Sequence, residues 1–273
     1  MKKNVCFIIV LFFILSCSNH SKYKKELKSS DYYFNLGKKY GEANQGNEME
    51  LIYYDSAILV NPNVAKIWWE KSTWQVKIGN YKKYFEYMDK AVELDPDVYI
   101  GWRGVIKMYY LHDFDGALKD FFALQKLHPK TKNLAARGED LNYLIGNAYW
   151  QKKDFTKAVE YFNKNIKENG EKSVDVYNFI YLGICYYEMG NNSLAEMQFN
   201  KALSLSKEIV DAHYYLAKIY SVEKKQKLAE KHINKAIYYA NDGYLKIDGY
   251  RDVLGQIYHS DLISLKDSIV NAN

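Results

Sequence analysis

The chain has 273 residues, 48% of them apolar and 26% charged, with a formal net charge of +5; this is an ordinary globular balance with room for a sizeable core. The excess falls to +3 once Lys2 and Lys3 are set aside, and so small and dispersed a charge argues against nucleic acid as a partner. Twenty-seven tyrosines beside only three prolines suit helices whose rings bury an apolar body while the hydroxyl finds water or a partner.

Residues 1–16 read as an export signal. Lys2 and Lys3 precede an unbroken apolar run of eleven residues, Val5 to Leu15. At 1.5 Å of rise per residue, such a run cannot cross a hydrocarbon core of roughly 30 Å. The Ile14-Leu15-Ser16-Cys17 end resembles the bacterial lipobox. That resemblance implies that Cys17 is the site of lipid attachment and the new N-terminus, holding the chain to a membrane through its lipid. Ser18 stands where an Asp would imply retention in the inner membrane, so the resemblance implies the outer membrane, facing the periplasm. Residues 17–29, with Lys22, Lys24, Lys25 and Lys28 against Glu26, read as a solvated tether drawn to anionic headgroups. Of the other cysteines, Cys6 lies in the signal, and Cys185 reads as a core thiol.

From residue 30 to 242 one phrase recurs. Its clearest copies are Ile145-Gly146-x-x-Tyr149 followed by Ala158-x-x-x-Phe162, and Leu182-Gly183-x-x-Tyr186 followed by Ala195-x-x-x-Phe199, at a constant offset of 37 residues. Leu216-Ala217-x-x-Tyr220 with Ala229 and Ile233 is a further echo 34 residues on. Within a unit, positions 4, 7, 8 and 11 make one helical face and positions 20, 24 and 27 a second, so each unit is two antiparallel helices joined by a short polar turn. In chain order, units are expected near 30–64, 65–98, 99–131, 139–172, 176–209 and 210–242.

The first unit has Tyr33, Leu36, Gly37 and Tyr40, then Tyr54 and Ala57, after a turn one residue longer than usual. In the second, Lys71 and Ser72 replace Leu and Gly, and Tyr84 replaces a small residue, so its helices should sit further apart. The third is placed with Trp102 at position 4, Tyr109 at position 11, and Ala117 and Phe121 after a turn one residue short. Residues 130–138 are an insertion that lengthens a helix or forms an exposed elbow between two half-solenoids. Leu254-Gly255-x-x-Tyr258 recurs inside 243–273, a degenerate cap whose polar outer face meets water. The recurring W/Y-x-x-L-G-x-x-Y, A-x-x-x-F pattern resembles the tetratricopeptide repeat (TPR) family. The expected fold is therefore all-α, an α-solenoid of about six units plus a C-terminal capping helix pair.

The sequence carries no enzyme signature. None of the six histidines stands in metal-ligand spacing, and there is no glycine-rich phosphate loop or nucleophile elbow, so neither a catalytic residue nor a metal or cofactor is assigned. The TPR resemblance implies a concave groove lined by positions 2, 5, 9 and 12 of each first helix, which on this chain include Trp69, Arg103, Lys107, Tyr110, Tyr143, Asn147, Trp150, Tyr177, Tyr187, Asp211 and Tyr214. Arg103 and Lys107 are four apart on one helix, and their like charges repel unless an anion bridges them. They suggest that a peptide carboxylate is held at Arg103, Lys107 and Asn147, flanked by Trp69, Tyr110, Tyr143 and Trp150. The implied function is a lipid-anchored, non-enzymatic adaptor that binds a protein or peptide in the bacterial cell envelope. The alternative is a glycan or cell-wall-fragment binder that stacks sugars on the same aromatic residues.

Overall fold

A computed structural model describes residues 28–131, 134–249, 251 and 253–271; the export signal and Cys17 lie outside them. The described residues form helices α1 (Ser30–Ala43), α2 (Glu48–Val60), α3 (Ala65–Lys77), α4 (Tyr81–Leu94), α5 (Pro96–Leu111) and α6 (Phe114–Leu127). A two-stranded hairpin follows, β1 (Ala135–Ala136) and β2 (Glu139–Asp140). Then come α7 (Leu141–Gln151), α8 (Phe155–Asn169), α9 (Val176–Glu188), α10 (Asn192–Leu205), α11 (Val210–Val222), α12 (Gln226–Asn241) and α13 (His259–Asn271).

Short polar side chains set where many of these helices begin. Ser29, Asn47, Asp95, Asp113, Asp140, Asp154, Asp175 and Asn191 each accept a hydrogen bond from a backbone N–H two or three residues on. Each cap satisfies a donor that the first helical turn would otherwise leave unpaired.

The described residues divide into two compact units, one ending at residue 81 and the other beginning at residue 82. The first holds α1, α2 and α3, with Phe34, Tyr54, Ala57 and Ile67 as its core. The Ser30 hydroxyl donates to the Ala57 carbonyl at 2.9 Å, and Lys71 of α3 pairs with Asp55 of α2. The division falls inside the second repeat, whose packing positions hold Lys71, Ser72 and Tyr84, and not at the 130–138 insertion.

In the second unit three hairpins, α5–α6, α7–α8 and α9–α10, close on the same contact. A Cβ added to Gly104, Gly146 or Gly183 would stand 2.7, 2.8 or 2.7 Å from the ring of Phe121, Phe162 or Phe199. The absent side chain is what lets paired helices approach until the ring of the second covers the backbone of the first. Gly37 and Tyr54 repeat the arrangement in the first unit, at 2.6 Å.

This contact corrects the third repeat. Its position 8 is Gly104, two residues earlier than a register built on Trp102 allows, and its turn is one residue long rather than short. Gly104 and Phe121 are 17 apart, like Gly37 and Tyr54. Arg103 and Lys107 therefore fall on positions 7 and 11, on the face packed within the repeat.

The insertion is neither an extension of a helix nor a bare elbow. Residues 135–138 of it, with Glu139 and Asp140, form an antiparallel hairpin, Ala135 opposite Asp140 and Ala136 opposite Glu139. Arg137 and Gly138, at φ of 54° and 80°, supply the two left-handed residues that a tight turn of this hand requires. Ala136 is buried against Gly101 of α5, where a Cβ would come within 2.8 Å of it.

The expected capping helix pair is a single helix. Leu254-Gly255-x-x-Tyr258 is not helical, and Gly255 sits at φ of +68°. α13 alone covers the last repeat, burying Leu262 and Ile269, while Gln226 of α12 donates to the Ile269 carbonyl at 2.7 Å. In the connection before it, the described residues 242–249, 251 and 253–258 form no helix or strand.

Candidate functional site

The first helices of the second unit stand side by side, α7 against α9 and α9 against α11. Their shared inner face carries Tyr109 from α5, Tyr143, Asn147 and Trp150 from α7, Tyr177 and Tyr181 from α9, and Asp211 from α11. Tyr181 is the centre of this surface, its ring centroid 4.5 Å from that of Trp150, 5.9 Å from Tyr177 and 6.1 Å from Tyr143.

The connection between α12 and α13 lies across this face as a strap. Lys246 reaches down, with its ammonium nitrogen 3.5 Å from the centroid of Tyr177 and donating to the Tyr181 hydroxyl at 3.0 Å. That hydroxyl donates in turn to the Leu254 carbonyl at 3.3 Å. The Arg251 guanidinium stacks 3.9 Å from the centroid of Tyr109 and donates through Nη1 to Glu139 at 2.6 Å. Tyr109 donates to the other oxygen of the same carboxylate at 3.0 Å. Gly255 passes beneath Trp150 so closely that a Cβ there would overlap the indole.

Burial governs the electrostatics. It pushes the Lys246 ammonium below its ordinary pKa, against the opposing pull of Asp211 and Asp175. It pushes the Asp211 carboxyl up, against Lys246 and a hydrogen bond donated by Tyr177 at 3.3 Å. Burial also raises Tyr109 and Tyr181 well above the usual phenol range, so both remain protonated donors at neutral pH. A cavity of about 80 Å³ remains between Tyr109, Tyr143, Asn147 and the strap. The side-chain carbonyl of Asn147, 1% exposed, faces this space without a protein partner. A wider cup of about 570 Å³ opens between the strap and the ends of α5 and α7 at His112 and Gln151.

The residues expected from the sequence are not all brought together. Tyr143, Asn147, Trp150, Tyr177 and Asp211 meet under the strap. Tyr187 and Tyr214, both half-buried, meet at Lys218, whose ammonium is 4.9 and 5.6 Å from their ring centroids. Trp69 belongs to the first compact unit and is half-buried there, as is Tyr110 in the second.

Arg103 and Lys107 are elsewhere, and the anion that bridges them is part of this chain. Asp120 of α6, 1% exposed, accepts from Arg103 Nε at 2.9 Å, Arg103 Nη2 at 2.7 Å and Lys107 Nζ at 2.8 Å. Asp89 takes the remaining Arg103 nitrogen at 2.7 Å. Burial alone would lower the Arg103 pKa, but Asp120 and Asp89 hold it above its ordinary value. Tyr109, Glu139, Tyr181 and the strap itself were missed. The signal for Tyr109 was the spacing of 17 from Gly104 to Phe121; for the strap it was Lys246 and Arg251 standing just before a phrase, Leu254-Gly255-x-x-Tyr258, that otherwise read as a helix.

Among the described residues, no group of three or more His, Cys, Asp or Glu side chains is placed to hold a metal ion. No described helix is long and apolar enough to cross a membrane. A family model described as tetratricopeptide repeat matches residues 65–98 and 139–171.

The chain carries tetratricopeptide repeats. No curated protein matches it in sequence. Among solved structures, this TPR chain is similar to PilW, described as a widely conserved type IV pilus biogenesis factor, with 16% identity and a TM-score of 0.59 over 79% of this chain and 94% of that one. It is also similar to PilF of Pseudomonas aeruginosa, with 15% identity and a TM-score of 0.57 over 78% and 92%. A third, YrrB, described as a TPR protein with an unusual peptide-binding site, shares 20% identity with a TM-score of 0.53 over 70% and 93%. At these identities the likeness is one of fold.

Proposed function

We propose that this TPR chain is a non-enzymatic adaptor that binds an extended segment of a partner protein on the inner face of its second unit, and that it is anchored through lipid on Cys17 in the bacterial cell envelope. The observation that carries the binding reading is that this face already seats an irregular stretch of polypeptide, gripped by tyrosine rings, two carboxylates and a hydroxyl. Stacked repeats form extended concave binding surfaces, and YrrB is described by its peptide-binding site. The anchor reading rests on the basic start, the apolar run of Val5 to Leu15 and the Ile-Leu-Ser-Cys end. Glycan stacking is disfavoured at Trp150 and Tyr143, which are only 8% and 9% exposed with the strap in place.

A photoreactive amino acid at Tyr214, on the inner side, and another at Tyr238, which is exposed on α12, would test the adaptor reading in living cells. A partner captured from position 214 and not from 238 is the expected result; equal capture at both would sink it. The anchor is tested separately. Cys17→Ser should move the protein from membranes to the soluble envelope fraction, and a membrane-bound variant would remove the lipobox.

A further inference from the structure

We infer that the groove of the second unit recognises extended basic segments, and that residues 244–258 are its built-in competitor, which a partner's basic segment must displace. This rests on the adaptor reading above and specifies its ligand.

The connection from Asn241 to His259 is far longer than two packed helices need, since such links usually take two to eight residues. A structureless connection of this length inside a compact unit marks either function or disorder, and this one is held at four points. Two of them are subsites for cations: the Tyr177 face with the Tyr181 hydroxyl and Asp211 receives an ammonium, and the Tyr109 face with Glu139 receives a guanidinium. The other two are specific for backbone, the Tyr181 hydroxyl to the Leu254 carbonyl and the Trp150 indole over Gly255. A groove of tyrosine faces and carboxylates is complementary to Lys and Arg, not to the acidic terminus that Arg103 and Lys107 suggested.

The strap is also held in a way that lets it leave. Its grip depends on charges taken out of water, and burial opposes the charged form of both Lys246 and Asp211, so much of the attraction offsets desolvation. Ile247, in the middle of it, remains 81% exposed. α13 stays docked on α12 through Leu262, Ile269 and the Gln226 bond, so the strap can lift without uncovering the last repeat. Because it is tethered, the strap acts at an effective concentration on the order of millimolar. A ligand in trans then sees only the fraction of grooves left open.

The test uses the mature chain and a fluorescent synthetic peptide of residues 244–258, read by anisotropy. Wild type should bind it weakly. A Lys246→Ala, Arg251→Ala variant should bind at least ~10-fold more tightly, as removing a competitor requires. Gly255→Val, which drives a side chain into Trp150, releases the strap by an independent route and should give the same gain if the double variant fails to fold. Adding Glu139→Gln and Asp211→Asn to the released protein should abolish binding, and a peptide with Ala at both basic positions should not bind. No gain on release, or equal binding of the Ala peptide, would overturn the proposal. So would a released variant that dimerises by strap exchange and excludes the peptide. If the peptide fails while Tyr214 still captures a partner, the basic-segment assignment falls and the adaptor reading stands.

Discussion

Asp120 shows how much one side chain can hold. It lies between two helices with Arg103 and Lys107 both donating to it, at positions where every other repeat but the second places an apolar residue and a tyrosine. Removing it would leave two cations in a largely dry interface. Asp120→Ala should therefore cost about 3–5 kcal/mol in urea unfolding. Converting all three to Met, Met and Leu should recover most of that loss, since a buried ionic cluster can often be replaced by apolar packing without penalty. A loss below about 1 kcal/mol in the single variant would show that the cluster is solvated. The histidine pair of the last repeat sets a pH dependence. His213 Nε2 donates to the Lys207 carbonyl at 3.1 Å, so its Nδ1 accepts from His232 Nδ1 at 3.0 Å. Burial lowers both from 6.5 to about 4. The unfolded chain then binds more protons than the folded one between these values, so this contribution is complete above pH 6.5 and is lost as pH falls toward 4. The melting temperature should drop between pH 7 and pH 4.5, and His213→Phe, His232→Phe should flatten that drop; an unchanged slope would assign it to other groups. Cys185 is inert by the same logic, fully buried with its thiol pushed up to about 12.

At the scale of the element, the repeat is a contact between a missing side chain and a ring. Gly104, Gly146 and Gly183 are needed for space, and Ala at any of them should cost about 1–3 kcal/mol by overpacking against Phe121, Phe162 or Phe199. Equal costs at Gly104 and Gly146 in urea unfolding would support the corrected third register, whereas a neutral Gly104→Ala would restore the one built on Trp102. The helices and their order were legible because Gly, Ala and Phe at fixed offsets can serve only packing. Tyr143, Asn147 and Trp150 were legible as inner-face residues for the same reason: the packing face of α7 is full. The third repeat was misread because Trp102 occupies an aromatic position in a plausible frame, and only the Gly104 to Phe121 distance rejects it. The hairpin at 135–140 rests on Arg137 adopting a left-handed conformation, which its residue type does not announce. The strap was hidden for a stronger reason. Leu254-Gly255-x-x-Tyr258 has helical spacing, and what holds it irregular is tertiary: Tyr181, Trp150 and Glu139, all distant in sequence.

At the scale of the molecule, the two compact units differ in what they offer. The second carries the inner face on which the functional reading depends, and that face is shaped as much by the segment lying on it as by the helices beneath. The central claim is that Lys246 is seated on Tyr177 in the free protein. Proton–carbon NMR of lysine-labelled protein tests it most directly, because a methylene held above an aromatic face is shifted upfield by the ring current. The prediction is an upfield Lys246 Cε signal, identified by its disappearance in Lys246→Arg and moved toward the solvent-exposed lysines when Arg251→Ala loosens the strap. A Lys246 signal already at the solvent position in the wild type would mean that the groove is open and the competitor absent.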